Sequence, residues 1–243
     1  MNKLELHTEL NQAIELKQFD QREALEAALC TRIGERLAES LERRGEAALV
    51  VSGGRTPAAL FERLSRLPLA WSNVTVTLAD ERWVDEQHQD SNARTVRTHL
   101  LQNHAAQARF LPLVNEADTP HEGQAITEHA LTQLPRVIDV VVLGMGEDGH
   151  TASFFPHAPE LAQALDPKPA SDCVAVTPPA APWHRITLTL PRLLASREII
   201  VHLCGESKLP VLQQALAVGP IAQMPIRAVL RQKKTPVAIY WAP

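Results

Sequence analysis

Ile138-Asp139-Val140-Val141-Val142-Leu143 runs directly into Gly144-Met145-Gly146-Glu147-Asp148-Gly149-His150, and this stretch decides the fold. A short run rich in β-branched apolar residues reads as a strand buried on both faces. Such strands belong to parallel sheets covered by helices. The glycines that follow mark a tight turn at the strand's carboxyl end, where open α/β sheets place their ligands.

Working outward, the same alternation recurs. Leu25, Ala28, Leu29, Ile33, Leu37 and Leu41 recur at three- and four-residue spacing and predict an amphipathic helix over 21–43 that ends at Gly45. Strands are predicted at Ala47–Val51, Val74–Ala79 and Phe110–Val114, with helices over 57–67, 91–102 and 121–134. Pro57 suits a first helical turn and Ser91 an N-cap. The second half adds strands at Cys173–Thr177, Arg185–Leu190, Glu198–Leu203 and Val237–Trp241 and a helix over 206–217, with ordered proline-rich loops at 156–170 and 178–182. With no linker and no repeat, residues 1–243 are expected to form one α/β domain, a mostly parallel sheet flanked by helices.

Composition excludes several classes. The 243 residues are 45% hydrophobic and 21% charged, with a net charge of −4, which offers no general attraction to nucleic acid or to an acidic membrane surface. No apolar run reaches membrane-spanning length, and the first ten residues lack the apolar core of a signal peptide. Cys30, Cys173 and Cys204 are scattered, which fits a reducing compartment, and a cytoplasmic protein is expected. The ten histidines include no HExxH and no paired His–Cys spacing, so no metal is expected. A serine-hydrolase elbow and a Walker A loop are both missing.

Four predicted strand ends carry polar side chains. Ser52-Gly53-Gly54-Arg55-Thr56-Pro57 follows the first, Asp80-Glu81-Arg82-Trp83 the second, the glycine–histidine turn the third, and Gly205-Glu206-Ser207-Lys208 the fourth. If these strands run parallel, the loops converge on one rim. Ser52, Gly53, Gly54 and Thr56 look built for an anion: glycines permit close backbone approach, the next helix presents free N–H groups, and two hydroxyls add donors. A plain strand-to-helix turn with a hydroxyl cap is the competing reading. Arg82, Arg185, Lys208 and Arg227 supply candidate positive charges, which together suggest a small phosphorylated substrate.

Gly144, Gly146 and Gly149 match G-x-G-x-x-G, but Pro156 and Pro159 interrupt the helix that a dinucleotide site needs, and Asp148 would oppose a pyrophosphate. Asp148 and His150 suit another task. A carboxylate two residues before an imidazole can fix its tautomer and raise its basicity for general-base work.

The ordered set Ser52–Pro57, Asp80-Glu81-Arg82-Trp83-Val84, Ser91-Asn92, Gly144–Ser153, Arg185-Ile186-Thr187-Leu188-Thr189 and Gly205–Lys208 resembles the 6-phosphogluconolactonase family. The resemblance implies a modified Rossmann-like sheet shared with glucosamine-6-phosphate deaminases and ribose-5-phosphate isomerases. It implies cofactor-free hydrolysis of 6-phosphogluconolactone to 6-phosphogluconate in the oxidative pentose phosphate pathway, with a phosphorylated sugar lactone as the partner and a monomer or small homo-oligomer as the assembly. Carried over by motif, His150 is the general base, Asp148 orients it, and Ser52, Gly53, Gly54, Thr56, Asp80, Arg82, Arg185 and Lys208 line the substrate site. The related deaminases carry a Glu five residues after this His; here the position is Phe155, which favours the lactonase. A phosphosugar isomerase or aminosugar-phosphate deaminase, and a non-catalytic sugar-phosphate sensor, are the alternatives. The chain ends soon after Tyr240-Trp241, earlier than the family pattern, which bears on the C-terminal edge of the sheet and not on the site.

Overall fold

The computed structural model describes residues 2–7 and 13–243. Two amino-terminal strands, β1 (Asn2–His7) and β2 (Ala13–Gln18), precede the long helix α1 (Arg22–Arg44). Strand β3 (Ala47–Val51), helix α2 (Ala58–Ser65), strands β4 (Val74–Leu78) and β5 (Asp80–Arg82), and helix α3 (Asn92–His99) follow. Next come β6 (Arg109–Leu111), α4 (Pro120–Leu131), β7 (Val140–Leu143) and the short α5 (Leu161–Leu165). The chain closes with β8 (Cys173–Val176), β9 (Arg185–Leu188), α6 (Leu190–Leu194), β10 (Ile199–Cys204), α7 (Lys208–Leu216), α8 (Ile226–Arg231) and β11 (Val237–Ala242).

Eight strands form one sheet in the order β1-β2-β11-β10-β7-β3-β4-β6. Within it only β1 runs antiparallel, against β2. Strands β3, β4 and β7 are buried along their whole length: β3 and β7 are unbroken apolar runs, and in β4 the buried Thr77 hydroxyl donates to the Leu111 carbonyl at 2.7 Å. Helix α1 lies against β3, β7 and β11 and packs on α2, which packs on α3. One cluster of buried apolar side chains runs from Ile14 to Ala242.

The structure revises several expectations. The predicted strands at Cys173–Thr177 and Arg185–Leu190 are not part of the parallel sheet. They are β8 and β9, which join β5 in a separate antiparallel sheet of order β5-β9-β8. All four residues of each are buried, but burial does not set direction. The strand predicted at Phe110–Val114 is only Arg109–Leu111, because Pro112 has no N–H to continue the ladder. The run predicted as strand from Ile138 starts at Val140. Asp139, just before it, is wholly buried and accepts bonds from the Ser40 hydroxyl (2.6 Å), the Ala48 amide (2.8 Å) and Arg44 (2.8 Å). The last strand, β11, is not an edge: β10 and β2 pair with its two sides. Ser91 does cap α3, accepting from the Arg94 amide at 3.1 Å. Among the described residues, no helix is long and apolar enough to cross a membrane.

Candidate active site

The four strands whose ends carry the polar loops, β10, β7, β3 and β4, are consecutive neighbours in the sheet. Their parallel direction brings the Ser52, Asp80, Gly144 and Gly205 segments to one rim. The Ser52 amide donates to the Val142 carbonyl and the Ala79 amide to the Val51 carbonyl, both at 2.9 Å, so the loops leave the sheet in register.

Two cavities open on this rim and share Ser52, Gly53, Gly144 and Met145. The first, about 190 Å³, is lined also by Asp80, Arg82, Asn92, Gly146, His150, Thr151 and Ala152. The second, about 120 Å³, adds Thr56, Pro57, His202, Cys204 and Lys208. The imidazole and the Ser-Gly-Gly turn therefore face one continuous recess.

The His150 ring and the Asp148 carboxylate are paired. Nδ1 lies 2.6 Å from Asp148 Oδ1, and the His150 amide donates to the same oxygen at 3.0 Å. With Nδ1–H donating to the carboxylate, Nε2 keeps its lone pair. Burial pushes the Asp148 carboxyl up, but the His150 ring bond, amide and charge reverse this and hold it below the usual carboxylate range. The turn is closed by Gly146 N–H to the His150 carbonyl (2.9 Å) and Gly149 N–H to the Gly146 carbonyl (3.1 Å). Position 146 must be glycine, since a Cβ there would overlap both the imidazole and the Asp148 carboxylate. The next turn is held by the Thr151 hydroxyl on the Gly144 carbonyl at 2.8 Å.

Asp80 and Arg82 reach the first cavity from alternate positions of β5. Asp80 is buried and accepts from the Ser153 hydroxyl at 2.6 Å. Arg82 donates to the Asp90 carbonyl. Between them, Glu81 points the other way and ties β5 to the start of α3. It accepts from the amides of Arg82 (2.7 Å), Asn92 (2.8 Å) and Ala93 (2.7 Å) and from the Ser91 hydroxyl (3.2 Å). Burial pushes the Glu81 carboxyl up to about 7, against the three amides.

Of the residues expected at the site, Ser52, Gly53, Asp80, Arg82 and His150 line the first cavity, and Ser52, Gly53, Thr56 and Lys208 the second. Gly54, Asp148 and Arg185 line neither. Asp148 stands behind His150, and Arg185 stands opposite Arg82 in the β5–β9 pair, 6% exposed, donating to the Pro182 carbonyl at 3.2 Å. Burial and the Arg82 charge both pull the Arg185 guanidinium below its ordinary value. Arg227 is not at the rim: it is buried and donates to the carbonyls of Gln214 (2.7 Å), Pro220 (2.9 Å) and Ala215 (3.2 Å).

Sequence reasoning assigned no role to Asn92, His202 or Cys204. Asn92 donates to the Asp80 carbonyl at 2.9 Å, its Oδ1 is buried without a partner, and it packs so closely on Gly53 that a Cβ there would overlap it. Only tertiary packing reveals this contact. His202 and Cys204 are two apart on β10 and thus share a face, a signal that was available. Their Nε2 and Sγ atoms lie 3.4 Å apart. Burial pushes the His202 imidazole down to about 4, so this ring is neutral near pH 7.

The profile of the family described as glucosamine-6-phosphate isomerases/6-phosphogluconolactonase matches residues 20–241. The chain belongs to this family. It is 47% identical over 215 residues to a 6-phosphogluconolactonase of Pseudomonas aeruginosa, covering 88% of this chain and 89% of that one. It is 46% identical to a 6-phosphogluconolactonase of Rhizobium meliloti, covering 93% and 97%. Among solved structures, a 6-phosphogluconolactonase from Shewanella baltica superimposes with a TM-score of 0.92 at 49% identity, over 94% of this chain and 97% of that one. A monomeric glucosamine-6-phosphate deaminase shares the fold, with a TM-score of 0.74 at 18% identity over 93% and 96%. Family membership accords with the mostly parallel sheet.

Proposed function

We propose that this chain, as a single α/β domain, hydrolyses 6-phosphogluconolactone to 6-phosphogluconate in the oxidative pentose phosphate pathway, with His150 as the general base. The observation that carries the mechanism is the Asp148–His150 pair facing a recess continuous with the Ser-Gly-Gly turn. The relatives that match at 46–47% identity over most of their length are 6-phosphogluconolactonases, which supports the substrate.

The phosphate docks on Ser52–Thr56 and Lys208, where a glycine-rich loop, two hydroxyls and an ammonium converge on the smaller cavity. The sugar ring then lies in the larger cavity, with Asp80 and Asn92 available to its hydroxyls. His150 Nε2 takes a proton from water as the oxygen attacks the lactone carbonyl, and Asp148 steadies the imidazolium that forms. Collapse of the tetrahedral intermediate breaks the bond to the ring oxygen, which receives the proton back. The Gly146 and Gly149 amides already donate within the turn, so they are spent as oxyanion donors. Arg82, which lines this cavity, takes that role. No step calls for a metal or an organic cofactor. The place of action is the cytoplasm, where three free thiols stay reduced.

The family also contains isomerases of amino sugars. A ring-opening relay through a carboxylate five residues after His150 has no counterpart here, because Phe155 is buried and apolar. The test is acid release from freshly made lactone, corrected for its spontaneous opening, run beside ammonia release from glucosamine 6-phosphate. Enzyme-dependent acid release without ammonia is expected; ammonia release, or acid release no faster than the blank, refutes the proposal.

A further inference from the structure

The Asp148 bond fixes the His150 imidazole at one atom, and Asp148 itself is half-exposed on a turn between glycines. A single hydrogen bond leaves the ring free to pivot about it. Something else must set the ring plane if Nε2 is to face the water it deprotonates.

The ring of Phe155 lies against the His150 ring, with centroids 4.5 Å apart and planes 33° apart. Phe155 is 8% exposed and firmly seated: its amide donates to the Ser153 carbonyl at 3.1 Å, and its carbonyl accepts from the Ala158 amide at 3.2 Å. The Arg185 guanidinium carbon lies 5.7 Å from the Phe155 ring centroid, within cation–π range. The order through space is therefore carboxylate, imidazole, phenyl, guanidinium. Arg185 is also buried, with its Nε lacking a partner and its head held by the Pro182 carbonyl. It lies on the far side of the phenyl ring from the imidazole.

From this stack we infer that Phe155 is a positioning residue for the lactonase reaction, a rigid face that sets the plane of the His150 imidazole and spaces it from the Arg185 charge. The inference rests on the reading of His150 as the general base. Phe155 lines neither of the two rim cavities, so it acts on the rate through the imidazole and leaves substrate binding alone. Misplacing a catalytic group by about 1 Å can cost on the order of 100-fold in rate.

The test compares Phe155→Leu, which removes the aromatic face, with Phe155→Tyr, which keeps it. Both are assayed on the lactone, and the His150 imidazole nitrogens are followed by 15N NMR. Phe155→Leu is expected to lose roughly 10–100-fold in kcat with KM within about twofold. It should also show His150 nitrogen signals broadened by exchange between ring orientations, and Phe155→Tyr should recover most of the rate and the sharp signals. Should Phe155→Leu fail to fold, Phe155→Met, unbranched and without a ring, takes its place under the same expectations. The role is overturned if the leucine or methionine variant keeps kcat within about threefold, if the loss falls on KM alone, or if tyrosine is as slow as leucine. His150→Ala run alongside separates the two readings: if it retains full activity the general-base assignment fails, whereas its inactivity beside a fully active Phe155→Leu removes only the role of Phe155.

Discussion

Two aspartates bracket strand β7 and have opposite surroundings. Asp139, before its first residue, is completely buried and is met by a hydroxyl, an amide and the guanidinium groups of Arg44 and Arg197. Asp148, beyond its last residue, is half-exposed, and its side chain accepts from His150 through both ring and amide. The contrast extends to their neighbours. On the carboxyl rim, Ser52 Oγ and Asn92 Oδ1 are buried without partners, as groups kept for a ligand are. At the amino end, the carboxylate of Asp139 is saturated and serves to tie α1, β3 and β7 together. One end of the sheet is closed by its own polar groups, and the other is left open for chemistry.

The open rim depends most on His150. His150→Ala should lower kcat/KM about 10²–10⁴-fold. Its thermal unfolding should stay close to that of the parent, because the ring stands at the open rim. An active variant would end the distinction between the two ends of β7. Asp139→Ala should do the reverse: it leaves the buried Ser40 hydroxyl and Ala48 amide without an acceptor, at about 1–3 kcal/mol each. Denaturant unfolding would show this, while the folded fraction keeps its KM.

Gly53→Ala sharpens the contrast at the rim itself. The added methyl would force Asn92 aside, so activity should drop well below that of the parent while stability falls by about 1–3 kcal/mol. Full activity would show that the Asn92–Gly53 contact does not shape the site.

A pH-dependent effect concerns Glu81, which joins the rim to the core. Its folded value of about 7 lies above the ordinary 4.5, so the native protein retains a proton over a pH range in which the unfolded chain has released it. Stability should therefore fall as pH rises from about 4.5 to about 7, and then level off. Glu81→Gln should flatten this dependence in thermal midpoints measured across the range. An unchanged slope would place the titration elsewhere.

Much of the site was legible in the residues. The Ser52–Thr56 turn, the Asp148–His150 pair and the Ser91 cap are local: backbone conformation and hydrogen bonding within a few residues specify them, and their residue types announce that chemistry. The arginines were less legible because a guanidinium reads the same in sequence whether it meets a ligand or a carbonyl. Arg227 closes three backbone carbonyls, while Arg82 lines the cavity, and only the place of Arg82 just after a predicted strand separates them in sequence.

By itself, then, the chain's order of residues determined the central strands β3, β4, β7, β10 and β11, the glycine turns beyond β3, β7 and β10, and the pairing of one acid with one imidazole. Tertiary structure alone decided that β10, β7, β3 and β4 would be neighbours, that β5 and β9 would meet antiparallel with Arg82 opposite Arg185, and that Asn92 would fill the space above Gly53. The physical reason is range. Turn and helix signals act over a few residues, whereas strand order and direction are set by burying many apolar faces at once, a sum over the whole chain that no local segment contains.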